Sequence, residues 1–458
     1  MTAPFSFDLV IAFGVLGVFL LLGVALRAKI GFLQRLIAPS CLVGGVVGLA
    51  VINIFPVKLD TEIFEAIVYH LFTLSFISLG LTAFGANVGE RKATAPELKE
   101  IVRGAAWGGV LQGVTLAVQA LLGIGLYFTF RAFGTELFPT FGLFPPLGFT
   151  QGPGQALSIG KVWEGFGFAD AATIGLTFAS IGFAFAFFVG VPLTGLAIRK
   201  LGDNGNPSEL PEEVLKGYVP KNKIGEPAGT QNTHSSNVDA LAFQFAVSAA
   251  VMLLTYGFVR LLNSFFSETV ASLLWGFTFF FGLLTAILVG WAAKLVGVSF
   301  LIDKGVQKRI TGWSVDFLIV ATVMAIRPTI VFSYAVPILV ISLAAGIATT
   351  LVVLYFGRRV SRYNLQRMVL NYGTCTGTLS SGLLLLRMTD PDFSSPVGVE
   401  AGFIAIFALP FVLASMLLVN ARFLFGWDLP LVIAGFVLIL LLSLLIMRLM
   451  GQWGRKRV

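Results

Sequence analysis

Apolar runs of about twenty residues follow one another along almost the whole chain, and in two places they give way to glycine-spaced polar residues. The runs are 7–26, 36–56, 66–88, 104–130 and 171–198, then 240–262, 270–293, 313–331, 333–357, 397–419 and 429–449. Each is long enough to cross the hydrocarbon layer as a helix. Runs such as 429–449 are apolar on every side, whereas the strands of a membrane barrel alternate apolar and polar positions. Pro328 and Pro337 interrupt 313–357, so that stretch also admits a different division. The pattern predicts an all-α polytopic membrane protein with about eleven transmembrane helices.

The first interruption reads Gly148-Phe149-Thr150-Gln151-Gly152-Pro153-Gly154-Gln155-Ala156-Leu157-Ser158. The second reads Asn371-Tyr372-Gly373-Thr374-Cys375-Thr376-Gly377-Thr378-Leu379-Ser380-Ser381-Gly382. Polar backbone is tolerated at membrane depth only where protein or water covers it. One such break in each half of the chain points to a transporter's substrate and ion site. Gly152 and Gly154 remove Cβ atoms and Pro153 removes an N–H, so a helix cannot continue smoothly through them. The next half-helix then offers its first N–H groups and its dipole to an anion. In the second run, hydroxyls and unwound carbonyls can dehydrate a small hard cation or hydrogen-bond a zwitterion. A plainer reading has the glycines serving helix packing and the hydroxyls bonded back to i−4 carbonyls. Two runs at equivalent positions weigh against it.

The candidate substrate ligands are therefore Thr150, Gln151, Gly152, Gly154, Gln155 and Ser158, with Thr376, Gly377, Thr378, Ser380 and Ser381. Arg327, near the outer end of its span, either snorkels or holds a substrate carboxylate. Asn371, Thr374, Thr376, Asp170 and Asp316 are the candidate cation ligands. Asp170 reads first as a cap for the helix that follows it, and Asp316 is either a helix-start charge or part of a polar pathway. Glu400 and Asn420 are weaker candidates of the same kind.

Charge gives the expected orientation. Of the 31 Lys and Arg residues, 25 fall in one alternating set of loops and tails. The other six are Lys58, Arg131, Lys161, Arg260, Arg327 and Arg422. The positive-inside rule then places the N-terminus outside and the C-terminus in the cytoplasm. On that count residues 138–165 must leave from and return to the outer side, and 368–390 must do the same on the inner side. The result is an inverted repeat, with halves 1–200 and 240–420. A hydrophilic cytoplasmic linker at 201–239, holding one short helix near 209–217, joins them. Residues 421–458 add a final helix and a basic tail.

Composition narrows the classes. The chain has 458 residues, 57% hydrophobic and 12% charged, with a mean hydropathy of +0.90. The net charge of +8 is spread between spans and forms no single face for nucleic acid. Cys41 and Cys375 lie in separate apolar or glycine-rich segments, which argues against a disulfide framework. His70 and His234 are far apart, so a structural metal site has no ligand cluster. The first apolar run lacks a basic leader and a cleavage site, and is expected to persist as a helix. No phosphate-loop motif is present, and no organic cofactor is expected.

The stretch GFTQGPGQALSIGKVWEGFGFADAATIGLTFASIGFAFAFFVGVPLTGLAIRK, together with NYGTCTGTLSSGLLLLRMTDPDFSSP, resembles the bacterial sodium/glutamate symporter family. The likeness lies in a glycine-rich segment, a Gly-Phe-x-[Asn/Asp]-Ala step, and a long span ending Gly-x-Pro-hydrophobic-x-Gly. Weaker similarity covers roughly residues 10–420. The resemblance implies two five-helix halves with re-entrant hairpins and Na⁺-coupled symport of glutamate in a bacterial inner membrane. It also implies homodimers, elevator-like alternating access, and hairpin tips at Gln151–Ser158 and Thr374–Gly382. The tips depart from the family pattern. Gln151-Gly152-Pro153-Gly154-Gln155 stands where the family has Gly-Gly-His-Gly-Thr. The second run has Thr376-Gly377-Thr378-Leu379-Ser380-Ser381 for Gly-Met-Gly-Ala-Thr-Pro.

The expected function is thus Na⁺-coupled symport of an acidic amino acid. The expected partners are that solute and membrane lipid, with no nucleic acid. Alternatives are a Na⁺- or H⁺-coupled carrier of another carboxylate or amino acid, and a passive channel with re-entrant loops. An enzyme would need clustered catalytic carboxylates, histidines or metal ligands, which the sequence lacks.

Overall fold

In hydrocarbon a backbone must satisfy its own N–H and C=O groups, and this chain does so by helix alone: the described residues contain no strand. The computed structural model describes residues 7–55, 60–82, 95–201, 212–219, 229–360, 362–390 and 395–454. The first half contains α1 (Asp8–Lys29), α2 (Gly31–Arg35), α3 (Ser40–Ile54), α4 (Thr61–Thr82) and α5 (Ala95–Ala132). A 3₁₀ turn (Phe141–Leu143) and a π turn (Pro146–Thr150) lead to α6 (Pro153–Gly165). Next come α7 (Ala171–Ala184), a second π turn (Phe185–Val189), α8 (Gly190–Leu201) and, in the linker, α9 (Glu212–Lys216). The second half holds α10 (Ala240–Asn263), α11 (Glu268–Gly276), α12 (Thr278–Val296), α13 (Lys304–Met324), α14 (Pro328–Ser333) and α15 (Ala335–Gly357). It ends with α16 (Asn364–Thr376), α17 (Leu379–Thr389), α18 (Val397–Val419), α19 (Ala421–Phe425) and α20 (Leu429–Leu449).

Among the described residues nine helices are long and apolar enough to cross a membrane, with α7 and α8 counted as one. The chain is a multi-pass, all-α membrane protein. Most apolar runs reappear as helices, with shifted ends. The run expected at 313–331 is displaced: α13 starts at Lys304, because Asp303 caps it by accepting the Val306 N–H at 2.7 Å. It stops at Met324, ahead of Pro328, where the helix cannot continue. The run at 270–293 is parted at Phe277, where Tyr69 of α4 donates its hydroxyl to the Trp275 carbonyl at 2.7 Å. Residues 83–88 of the third run, most of the linker and the last four residues lie outside the described ones.

Packing sorts the helices into two bundles. In one, α1 packs on α3 and α10 on α12, while α3 lies along α13 and α12 along α4. Helices α4 and α13 face each other at its centre. In the other, α5 is flanked by α15, α18 and α20. The bundles meet where α4 touches α6 and α13 touches α7. Aromatic rings fill the space under α6: Phe144 lies 5.0 Å from Trp163 and 5.8 Å from Phe178, and Phe138 stacks on Phe168 at 4.5 Å. Such pairs contribute about 0.5–1.5 kcal/mol each beyond area burial. Trp163 also donates its indole N–H to Asn420 Oδ1 at 2.9 Å, tying α6 to the end of α18.

The end of the linker is docked on the α12–α13 turn. The Thr230 N–H and hydroxyl both donate to Asp303, and Gln244 accepts the Asp303 N–H. Burial pushes the Asp303 carboxyl up, but the hydrogen bonds from Thr230 and the Val306 N–H outweigh it and hold the group below its ordinary value.

Candidate functional site

The two broken segments meet. In the first, the π turn ends at Thr150, and Gly152 adopts φ +90°, a backbone conformation open to glycine and strained for other residues. In the second, α16 stops at Thr376, the chain bends through Gly377, and α17 starts from Thr378, whose side chain caps it by accepting the Ser381 N–H. A Cβ on Gly152 would sit 3.3 Å from the Gly377 carbonyl oxygen and 3.4 Å from Thr378 Cγ2. Gly182 of α7 permits the approach from below, since a Cβ there would lie 2.5 Å from the Thr376 carbonyl oxygen.

A buried polar knot closes this junction. The Thr150 hydroxyl lies 2.9 Å from Gln119 Oε1 and 3.2 Å from the Cys375 carbonyl oxygen, with Thr115 Oγ1 at 3.3 Å. Gln119 donates its amide to Thr349 Oγ1 at 2.8 Å and lies 3.3 Å from the same Cys375 carbonyl. Helices α5 and α15 thus hold both segments through one amide. The π turn after α7 contributes too, because Tyr372 of α16 donates its hydroxyl to the Phe185 carbonyl at 3.2 Å. Single π turns leave carbonyls free and recur at functional sites.

The two sides of the junction differ in satisfaction. Gly152 cannot cap α6, so no side chain meets the first N–H groups of that helix although Pro153, Gly154 and Gln155 are buried. Buried helix ends without partners are rare. Gln155 is 2% exposed, and its Oε1 has no partner. Both polar atoms of Gln151 are buried without one. In the second segment Thr374 and Thr376 donate to the Leu370 and Tyr372 carbonyls, and Asn371 donates to the Arg367 carbonyl, which leaves Asn371 Oδ1 as its buried atom without a partner. The plainer i−4 reading therefore describes these hydroxyls, and Ser158, which donates to the Gly154 carbonyl, joins them.

Of the candidate substrate ligands, the structure gathers Thr150, Gly152, Thr376, Gly377 and Thr378 at the junction. Ser381 lies beside Gly377, its Oγ 2.9 Å from where a Cβ would stand. Gln151 and Gln155 flank it in sequence, Gly154 packs against the Phe72 ring, and Ser380 is exposed. Arg327 is not at the tips. It pairs with Asp170 at 2.6 Å and donates to Thr173 Oγ1 at 3.1 Å, in the first turn of α7. That turn is about 13 Å along the helix from Gly182. The candidate cation ligands do not converge. Asp170 pairs with Arg327 and makes no cap, and Glu164 Oε1 instead accepts the Ala172 N–H in the first turn of α7 at 3.1 Å. Asp316 lies beside Cys41 of α3, while Asn371 Oδ1 faces Gly108 of α5 and Thr374 faces Gly382. No group of three or more His, Cys, Asp or Glu that could hold a metal occurs among the described residues.

Sequence reasoning passed over Thr115, Gln119 and Thr349. The first two had a signal: Gln112, Thr115 and Gln119 are spaced three and four apart inside an apolar span, which marks one polar helix face. It also missed two charged clusters. Lys161 of α6 reaches Glu65 of α4 at 2.6 Å and Glu164 at 3.1 Å. Fully buried Arg367 of α16 forms a fork with Glu400 at 2.9 and 2.6 Å and reaches Glu100 at 3.0 Å. Family profiles, curated proteins and solved structures give no match to this chain.

Proposed function

We propose that the chain is a secondary active transporter, a Na⁺-coupled symporter of an acidic amino acid or related carboxylate, seated in a bacterial inner membrane. The observation that carries this reading is the uncapped, buried start of α6 beside Gln151, whose two amide atoms lack partners, and Gln155, whose Oε1 lacks one. A solute carboxylate placed there would accept the free N–H groups and gain from the helix dipole. Gln151 and Gln155 would fix its orientation. The oxygens of Thr150, Thr376 and Gly377 and the Cys375 carbonyl form the neutral, oxygen-rich wall that suits a small hard cation. The halves supply equivalent parts in the packing: α1–α3 matches α10–α12, α4 matches α13, and α5 matches α15. An inverted repeat with re-entrant segments accounts for that correspondence and for the charge pattern. Movement of the bundle that carries the junction along α4 and α13 would alternate access, as elevator-like homodimers do.

The test is uptake of radiolabelled glutamate into proteoliposomes with and without an inward Na⁺ gradient. Accumulation above equilibrium that needs Na⁺ supports the proposal. Na⁺-independent accumulation removes the coupling, and saturating ionic current without accumulation identifies a channel.

A further inference from the structure

A groove of about 740 Å³ lies between α5, α15 and α20. Its walls are apolar: Val114 and Val118 from α5, Leu351 from α15, Leu440 and Leu444 from α20. One end is different. There the lining is Tyr355, Arg358, Arg359 and Trp453. Arg359 donates to the Tyr355 carbonyl at 2.8 Å and lays its guanidinium 3.7 Å over the Tyr355 ring, which holds the cation at the groove mouth. Trp453 stands edge-on to Phe356 at 5.4 Å. The sequence then continues Arg455-Lys456-Arg457.

We propose that this groove is a site for one anionic phospholipid, its acyl chain along the valine and leucine walls and its phosphate on Arg358 and Arg359. The mouth lies at the end of α15 where the basic loops gather, the face to which anionic leaflet lipids are drawn. From Leu351 to Arg358 the groove runs about 10 Å along the helix axis, well within one leaflet of a hydrocarbon core about 30 Å thick. Trp453 supplies the amphipathic ring that belongs at headgroup level. Mixed apolar and cationic lining distinguishes the groove from the plain apolar faces that any lipid can wet. It also gives α20, which has no counterpart in the first half, a role beside packing on α5. The site is independent of the transport reading.

The experiment is native mass spectrometry of the delipidated full chain in detergent, titrated with phosphatidylglycerol or with phosphatidylcholine of the same acyl chains. Phosphatidylglycerol is expected to bind roughly tenfold to thirtyfold more tightly. The double variant Arg358→Gln, Arg359→Gln is expected to abolish that preference, and Arg358→Lys, Arg359→Lys to keep most of it. Leu444→Trp, which fills the groove and leaves both arginines, is expected to lower occupancy by phosphatidylglycerol. Equal binding of the two lipids overturns the proposal, as does a preference that survives the Gln variant. Unchanged occupancy in Leu444→Trp, or displacement of the lipid by inorganic phosphate alone, would place the contact on the surface and overturn it too.

Discussion

The two broken segments touch each other yet solve their polar backbone in opposite ways. The second is largely satisfied from within: Thr378 caps α17, and the side chains of Asn371, Thr374 and Thr376 donate to carbonyls one turn back, although Asn371 Oδ1 is buried without a partner. The first is left open, with α6 uncapped and Gln151 and Gln155 short of partners. On the proposed reading the better-satisfied segment serves as a wall, and the less satisfied one takes the solute. Their anchorage differs as well. The base of the second rests on the fully buried Arg367 and its carboxylates, whereas the first is tied by Lys161, which is 45% exposed, and by packed rings.

The largest effect is expected from Arg367→Ala. It leaves Glu400 buried without its cation and costs about 3–5 kcal/mol, read as a fall in thermal stability. Lys161→Ala at the first segment is expected to cost less, about 1–3 kcal/mol, because Lys161 is half-exposed although its partner Glu65 is buried. Next come Gln151→Leu and Gln155→Leu, expected to reduce uptake efficiency roughly tenfold to a hundredfold while stability holds, as loss of bonds to a charged solute implies. Thr374→Val on the other side is expected to leave uptake affinity within about threefold. If both sets lowered uptake alike, the asymmetry would be wrong.

Gly152→Ala forces a Cβ into positive φ, which costs about 1–2 kcal/mol, and is expected to lower both stability and uptake. The smallest effect concerns the linker. The Asp303 carboxyl is held below its ordinary 3.8 in the folded protein. Its contribution, about 1 kcal/mol, is therefore present above that value and lost as pH falls through the lower folded value. Limited proteolysis near Thr230 is expected to accelerate below pH 4, and Asp303→Asn to accelerate it at neutral pH.

The spans were legible because the length of an apolar run is the signal that a membrane imposes. Their ends were not, since Asp303 capping α13 and the Phe277 break depend on neighbours distant in sequence. The breaks themselves were legible from Gly152-Pro153-Gly154 and Gly377, as local chemistry that no helix tolerates. Which polar residues face the junction was only partly legible. Hydroxyls such as Ser158 and Thr374 read as ligands in the sequence, but an i−4 carbonyl one turn away takes their bond. Gln119 was hidden inside an apolar span, and only the register with Gln112 and Thr115 betrayed it. The Arg327–Asp170 and Arg367–Glu400 pairs join residues that nothing local connects.

The most direct test of the central claim is gradient-driven uptake by the Gln151→Leu, Gln155→Leu double variant beside the unaltered protein at matched folded amounts. Lost affinity for the solute, with thermal stability intact, is the expected result. Unchanged uptake and affinity would contradict the assignment of the open end of α6 as the solute site.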